Sequence, residues 1–224
     1  MTHANNDISY ARPLPNYLAQ RYHGWKATTY ADNKVWYRRL ADEGQRPRAM
    51  AIACCDSRVN VTAIFGADQG EIFIHRNIAN LVPPYEPDGD RHGTSAAIEY
   101  AVNHLKVANL LVIGHSSCGG VAGCHAMCSG NAPELEEKTS FIGRWMDILR
   151  PGYETVTATV SDPKDQLKAL EQQAVLTSLQ NLMTFPFVRE AVESDALSLH
   201  GLWQDIGAGN LMFYDAEKGR FSNA

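Results

Sequence analysis

The chain has 224 residues, a formal net charge of -5, 45% hydrophobic and 20% charged residues. Those values suit one substantial globular domain, or at most two small ones, and exclude a disordered chain. Basic residues form no long run and no apolar stretch approaches the ~20 residues of a bilayer span, so neither a nucleic-acid footprint nor a membrane partner is expected.

Residues 1–15 are polar and carry no apolar targeting segment, which leads us to expect a cytoplasmic protein. Five cysteines at uneven spacing fit a reducing compartment, as ligands and buried thiols and not as a disulfide framework. From Pro15 to about Glu43 the pattern is helical, with Tyr17, Leu18, Trp25, Tyr30, Trp36, Tyr37 and Leu40 as its apolar and aromatic positions. Gly24 is expected to divide that stretch, since glycine inside a helix costs ~1 kcal/mol. So many aromatic side chains imply packing on the domain's own core or a clasp on a second subunit.

An alternation of strands and helices follows. A strand ends at Cys54, a short helix covers Val61 to Phe65, and a strand runs from Glu71 to His75. A turn around Pro83, Pro84, Asp88 and Gly89 precedes an amphipathic helix from Gly93 to His104, with Ala97, Ile98, Ala101 and Leu105 at helical spacing. The apolar run from Asn109 to Ile113 reads as a buried strand, and Gly119 opens another helix. Ser161 or Asp162 is placed to cap a long helix from about Pro163 to Asn181. Ala196 to Ile206 and Asn210 to Asp215 close the chain as an antiparallel hairpin or terminal strand pair. The fold class expected is α/β: a mostly parallel central sheet covered by helices on both faces, with an N-terminal helical extension and a C-terminal antiparallel strand. Residues 1–224 read as a single domain, about 16–44 the helical arm and 45–224 the α/β core.

Two polar clusters fall where strands run out of that sheet, the usual place for ligands in such folds. The first is Cys54-Cys55-Asp56-Ser57-Arg58 and the second His115-Ser116-Ser117-Cys118-Gly119-Gly120. Two thiolates and an imidazole suit zinc with one position left open, and no fourth Cys or His is paired with Cys54 to close the site. Arg58 is positioned to hold the Asp56 carboxylate ionised if the chain stays extended through both. The glycines after Cys118 lack the Lys-Ser/Thr ending of a phosphate-binding loop and the spacing of a dinucleotide fingerprint. Cys55, alternating away from Cys54, is expected to be a small buried hydrophobe. Cys124 and Cys128, with His125 beside them, read as a packed helix face in preference to a second metal site. His92 and His200 read as structural or exposed, and His3 and His23 carry no signal.

With these motifs the sequence resembles the β-class carbonic anhydrases, in their plant-like branch. The resemblance runs from about Tyr17 to the end and includes Cys54-x-Asp56-x-Arg58, His115-x-x-Cys118-Gly-Gly, Arg76-Asn-Ile-Ala-Asn-Leu-Val-Pro-Pro-Tyr85, Gly93-Thr-Ser-Ala-Ala-Ile-Glu-Tyr100 and Leu197-Ser-Leu-His-Gly201. It implies Cys54, His115 and Cys118 as the ligands of one Zn²⁺ per chain, with Asp56 and Arg58 gating and orienting the fourth ligand. It also implies a substrate pocket of Gln45, Phe73, Ile78, Tyr100 and Gly119, Ile78 standing where valine is usual, and His104 at a position proposed as a proton shuttle. Asn60-Val61 departs from the family pattern in a loop that holds no ligand. In one branch of the family the aspartate closes on the metal, and bicarbonate inhibits from beside a tryptophan. Ala51 occupies that tryptophan's position here, although the matching Arg76 is present, so an open site is expected.

The reaction implied is reversible hydration of carbon dioxide to bicarbonate and a proton by a hydroxide that zinc makes available near neutral pH. With two thiolates neutralising the cation, the water should ionise above the ~7 of a three-histidine site. The alternatives are a carbonyl sulfide or carbon disulfide hydrolase on the same residues, and an inactive zinc-binding scaffold. A homodimer or a multiple of dimers is expected as the assembly.

Overall fold

The chain divides into two compact units, Met1–Gln45 and Arg46–Ala224. The computed structural model describes residues 10–89 and 92–224. The segment 1–9, His3 included, and positions 90–91 lie outside the described residues.

The first unit holds helices α1 (Asn16–Ala27), α2 (Thr29–Asp32) and α3 (Lys34–Glu43). Gly24 does not divide the arm as the sequence suggested; it lies inside α1. The break comes at Thr28, whose backbone leaves the helical region at φ -116°, ψ -91°. Its hydroxyl donates back to the Gly24 carbonyl at 2.9 Å. The aromatic positions pack on each other: the rings of Trp25, Tyr30 and Tyr37 lie 5.2–5.7 Å apart. No residue of these three helices is buried.

The second unit is built on a six-stranded sheet in the order β2-β1-β3-β4-β5-β6. Its strands are β1 (Ala49–Cys54), β2 (Ile72–Asn77), β3 (Asn109–His115), β4 (Ser198–Asp205), β5 (Asn210–Asp215) and β6 (Arg220–Asn223). The first four are mutually parallel and the last two antiparallel. β5 runs antiparallel to β4, as the sequence suggested, and β6, antiparallel to β5, is a further strand that the sequence did not suggest. Central β1 and β3 are buried over nearly their whole length, which is why they read as unbroken apolar runs.

The remaining helices are α4 (Val61–Phe65), α5 (His92–Glu99), α6 (Gly119–Cys128), α7 (Phe141–Met146), α8 (Arg150–Thr159), α9 (Pro163–Leu182) and α10 (Pro186–Glu193). One face of the sheet buries Met50, Ile52, Leu110 and Val112 against Ile98 of α5, Val175 and Leu182 of α9 and Val188 of α10. The other buries Ala51, Ala53, Ile113 and Leu202 with Val61 of α4 and Val59 just before it. A third cluster sits at the C-terminal strand ends, where Cys54 and Cys118 pack among α6, α8 and α9. The Asp162 side chain caps α9, accepting the Lys164 N–H at 2.9 Å. The predicted helix from Gly93 to His104 is α-helical only to Glu99. A wider π turn covers Tyr100–His104, with the Leu105 N–H on the Tyr100 carbonyl at 3.0 Å.

Candidate metal centre

β1 and β3 are neighbours in parallel register, Ala53 opposite Ile113, so their C-terminal ends deliver Cys54 and His115 side by side. Cys118 comes from the loop that caps α6. One donor atom from each of Cys54, His115 and Cys118 lies within 4.8 Å of the other two, and all three residues are buried. The two sulfurs are 3.9 Å apart. A tetrahedral site with Zn–S bonds of ~2.3 Å has an S···S edge of about 3.8 Å, so the thiols need no rearrangement to take the ion. The His115 Nδ1 lies 3.0 Å from the Ser116 carbonyl, which holds a proton there and leaves the buried Nε2 without a hydrogen-bond partner among the described residues. An orphaned imidazole nitrogen beside two buried sulfurs is what a metal site requires.

The charges agree. The thiols are drawn in opposite directions by the contact between them: the Cys118 hydrogen bond pulls Cys54 well below the usual thiol range against burial, while Cys118 is pushed up. Burial works against a charged ring at His115, and the neighbouring Cys54 sulfur and Ser116 carbonyl outweigh it, so the net shift is upward. A divalent cation replaces the protons that this cluster must otherwise share.

Asp56 and Arg58 meet through a turn and not through the extended chain that the sequence suggested. The strand stops at Cys54, and the Asp56 carboxylate accepts the backbone N–H of Arg58 at 2.9 Å. The guanidinium adds Nε to Oδ1 at 2.9 Å and Nη2 to Oδ2 at 2.7 Å. These hydrogen bonds hold Asp56 well below the usual carboxylate range. Its Oδ2 is 3.9 Å from His115 Nε2. Arg58 Nη2 also donates to the Ser117 carbonyl at 2.9 Å, and Ser117 is left-handed at φ 56°. One side chain thus ties the two halves of the signature together.

Other braces carried little signal in the sequence. The Arg76 guanidinium donates to the carbonyls of Cys54 at 2.9 Å and Asp56 at 2.7 Å. Glu171, buried in mid-α9, accepts the Cys118 N–H at 3.1 Å, and burial pushes its carboxyl up. The Ala79 N–H donates to Cys54 Sγ at 3.4 Å from a left-handed backbone at φ 61°. Gly120 lets that segment approach: a Cβ there would stand 2.6 Å from Ile78 Cγ2 and 3.1 Å from Ala79 Cβ.

A family model described as carbonic anhydrase matches residues 49–211. The chain belongs to the carbonic anhydrase family. It is 39% identical over 196 residues to beta carbonic anhydrase 3 of Arabidopsis thaliana, covering 86% of this chain and 74% of that one. It is also 39% identical over 186 residues to the chloroplastic beta carbonic anhydrase 5 of the same plant, covering 82% and 59%. Among solved structures it matches the β-carbonic anhydrase CcaA with a TM-score of 0.83 at 27% identity, over 93% of this chain and 91% of that chain. A tetrameric β-carbonic anhydrase of Sordaria macrospora matches at a TM-score of 0.71 and 31% identity, over 92% and 97%. As a carbonic anhydrase, the chain is a zinc enzyme that hydrates carbon dioxide reversibly.

The residues that the sequence led us to expect in the substrate pocket separate into groups. Ile78 and Gly119 adjoin the ligands, Ile78 packing at Gly120 and Gly119 following Cys118. Phe73 pairs with Met50, four residues before the Asn77–Cys54 pair, which places it about 13 Å down the strand from the metal ligands at ~3.3 Å per residue. Tyr100 and His104 accompany it, with ring centroids 5.8 Å from Phe73 to Tyr100 and 5.4 Å from Tyr100 to His104. Gln45 ends the N-terminal unit and is exposed. Cys55 is exposed, correcting the expectation of a buried thiol: it lies beyond the last residue of β1, where strand alternation no longer applies. Cys124 is buried, its sulfur 4.0 Å from that of Cys128, and His125 bonds Gln166 instead of the thiols. His200 is exposed and meets Asn109 at 3.1 Å.

Proposed function

We propose that Cys54, His115 and Cys118 hold the zinc, that Asp56 and Arg58 orient the attacking hydroxyl, and that Ile78 and Gly119 line the substrate side. The observation that carries this reading is the Asp56 carboxylate, held by Arg58 at the edge of a buried three-donor site. When bound, zinc supplies a Lewis acid that makes hydroxide available near neutral pH. Asp56, kept ionised, can only accept a hydrogen bond, so it takes the O–H and leaves a lone pair directed at the carbon of carbon dioxide. Ile78, 37% exposed, presents an apolar wall suited to a small neutral substrate. Addition gives bicarbonate, and one proton leaves for each water consumed.

Phe73, Tyr100 and His104 serve a second copy of the chain in this proposal. β2 is a sheet edge, Tyr100 is 45% exposed, and the tetrameric relative supports an assembly in which copies meet. His104, its ring tilted against that of Tyr100, carries the proton away. We further propose a cytoplasmic location, since five unpaired thiols suit a reducing compartment.

Stopped-flow hydration of carbon dioxide tests the reading. Activity should disappear with a zinc chelator and return with stoichiometric zinc. Zinc-loaded protein that is inert toward carbon dioxide but hydrolyses carbonyl sulfide would overturn it.

A further inference from the structure

We propose that Trp145 is a positioning residue of the metal centre, acting through a single peptide plane. The indole Nε1 of Trp145, on α7, donates to the Ile78 carbonyl at 2.8 Å. The same Ile78–Ala79 peptide carries the Ala79 N–H that donates to Cys54 Sγ at 3.4 Å. A peptide unit is planar and trans, so its C=O and N–H point in opposite directions and turn together. Fixing the oxygen on the indole therefore fixes the N–H on the ligand sulfur.

The plane needs such an anchor. It leads into two consecutive left-handed residues, Ala79 at φ 61° and Asn80 at φ 50°, and a side-chain-bearing residue such as Ala79 rarely adopts that region unaided. The far end of the turn is held separately: Ser178 Oγ donates to the Asn80 carbonyl at 3.0 Å and Asn77 Nδ2 to the Leu81 carbonyl at 2.8 Å. Neither bond is made to the Ile78–Ala79 peptide itself. Donation into a carbonyl also polarises the amide, which makes its N–H a better donor to sulfur. Trp145 reaches this peptide from the rim of a cleft of ≈ 630 Å³ that Ile78 and Cys55 line as well. The same bond thus holds the Ile78 wall of the substrate side. An N–H···S bond stabilises the ligand in its thiolate form, as outer-shell partners do at other metal sites.

This inference rests on Cys54 being a ligand. Trp145→Phe keeps an aromatic ring and removes the N–H. Replacement of Trp145 by benzothienylalanine exchanges only the N–H for sulfur at nearly unchanged shape. Zinc affinity by chelator competition should fall about tenfold in both, and the thiolate-to-cobalt charge-transfer bands of cobalt-loaded protein should shift. Melting of the metal-free benzothienylalanine protein should fall by only about 2–4 °C, the cost of one lost hydrogen bond with the packing retained, so the protein stays folded. Parental zinc affinity and parental cobalt bands in that folded variant would overturn the proposal. If Cys54 were not a ligand, Cys54→Ser would leave the thiolate-to-cobalt bands of the otherwise unmodified protein unchanged, a different outcome.

Discussion

Arg58 grips Asp56 through both carboxylate oxygens and holds the Ser117 carbonyl with the same guanidinium, so Asp56 and the Cys118 loop share one anchor. The hydrogen bonds from Arg58 depress the Asp56 pKa in the folded protein. The sign follows: Asp56 is ionised at every pH at which the enzyme works, so it cannot be the group whose deprotonation raises activity from neutral to alkaline pH. Arg58→Gln should lower kcat/KM by about 10²-fold, the scale of a lost orienting interaction. The alkaline-rising limb should remain. Stopped-flow pH profiles of parent and variant check both points; a profile that becomes flat above neutrality in Arg58→Gln would speak against this role.

The same shift has a stability counterpart. A carboxylate with a lowered folded-state pKa contributes stability that is present above its unfolded pKa of ~3.9 and is lost as pH falls through the folded value. The urea midpoint of metal-free protein should exceed that of Arg58→Gln by a constant margin from neutral pH down to pH of about 5. The margin should shrink only in stronger acid.

Gly120 faces Ile78 and Ala79 too closely to accept a side chain. Gly120→Ala should destabilise the protein by about 1–3 kcal/mol, the usual range for overpacking. It should also weaken zinc binding, because the displaced segment carries the Ala79 N–H. Thermal melting with and without zinc measures the two effects separately.

Much of this architecture was legible because its causes are local. β1 and β3 are buried on both faces and therefore appear as short continuous apolar runs, and the Asp162-Pro163 pair announces the start of α9. The candidate ligands stood out because each ends or closely follows such a strand. Other features arise from distance in the fold. Arg58 and Ser117 are 59 residues apart, and nothing in the spacing within α9 marks Glu171 as the acceptor for Cys118. β6 is four residues of an edge strand, too short and polar to show a strand pattern. The π turn at Tyr100–His104 is invisible to a 3.6-residue period, and Thr28, not Gly24, breaks the arm because local backbone geometry outweighs glycine's modest cost.

The separation of Phe73 from this chain's own ligands makes a prediction about assembly. Sedimentation should give a dimer or a multiple of it. Cys54→Ser and Phe73→Asp chains, each inactive alone, should complement when refolded together. Random pairing gives one intact site in half of the dimers, hence about a quarter of parental activity. No recovery in verified mixed dimers would contradict sharing of the pocket.

The proposed proton export through His104 is tested by two kinetic constants. His104→Ala should lower kcat about tenfold, short of the ~10²–10⁴ of a general acid–base group because water and buffer also take the proton, with kcat/KM for carbon dioxide nearly intact. Imidazole buffer should restore part of the loss. An equal fall in both constants would make His104 a structural residue.

The most direct test of the metal centre is the zinc content per chain of Cys54→Ser measured beside Cys55→Ser. Serine is a poor zinc ligand at neutral pH, so Cys54→Ser should hold well under one equivalent and lose hydration activity. Cys55→Ser, altered at an exposed thiol one position beyond the strand end, should retain a full equivalent. Full zinc occupancy with retained activity in Cys54→Ser would contradict the assignment of Cys54, His115 and Cys118 as the ligands.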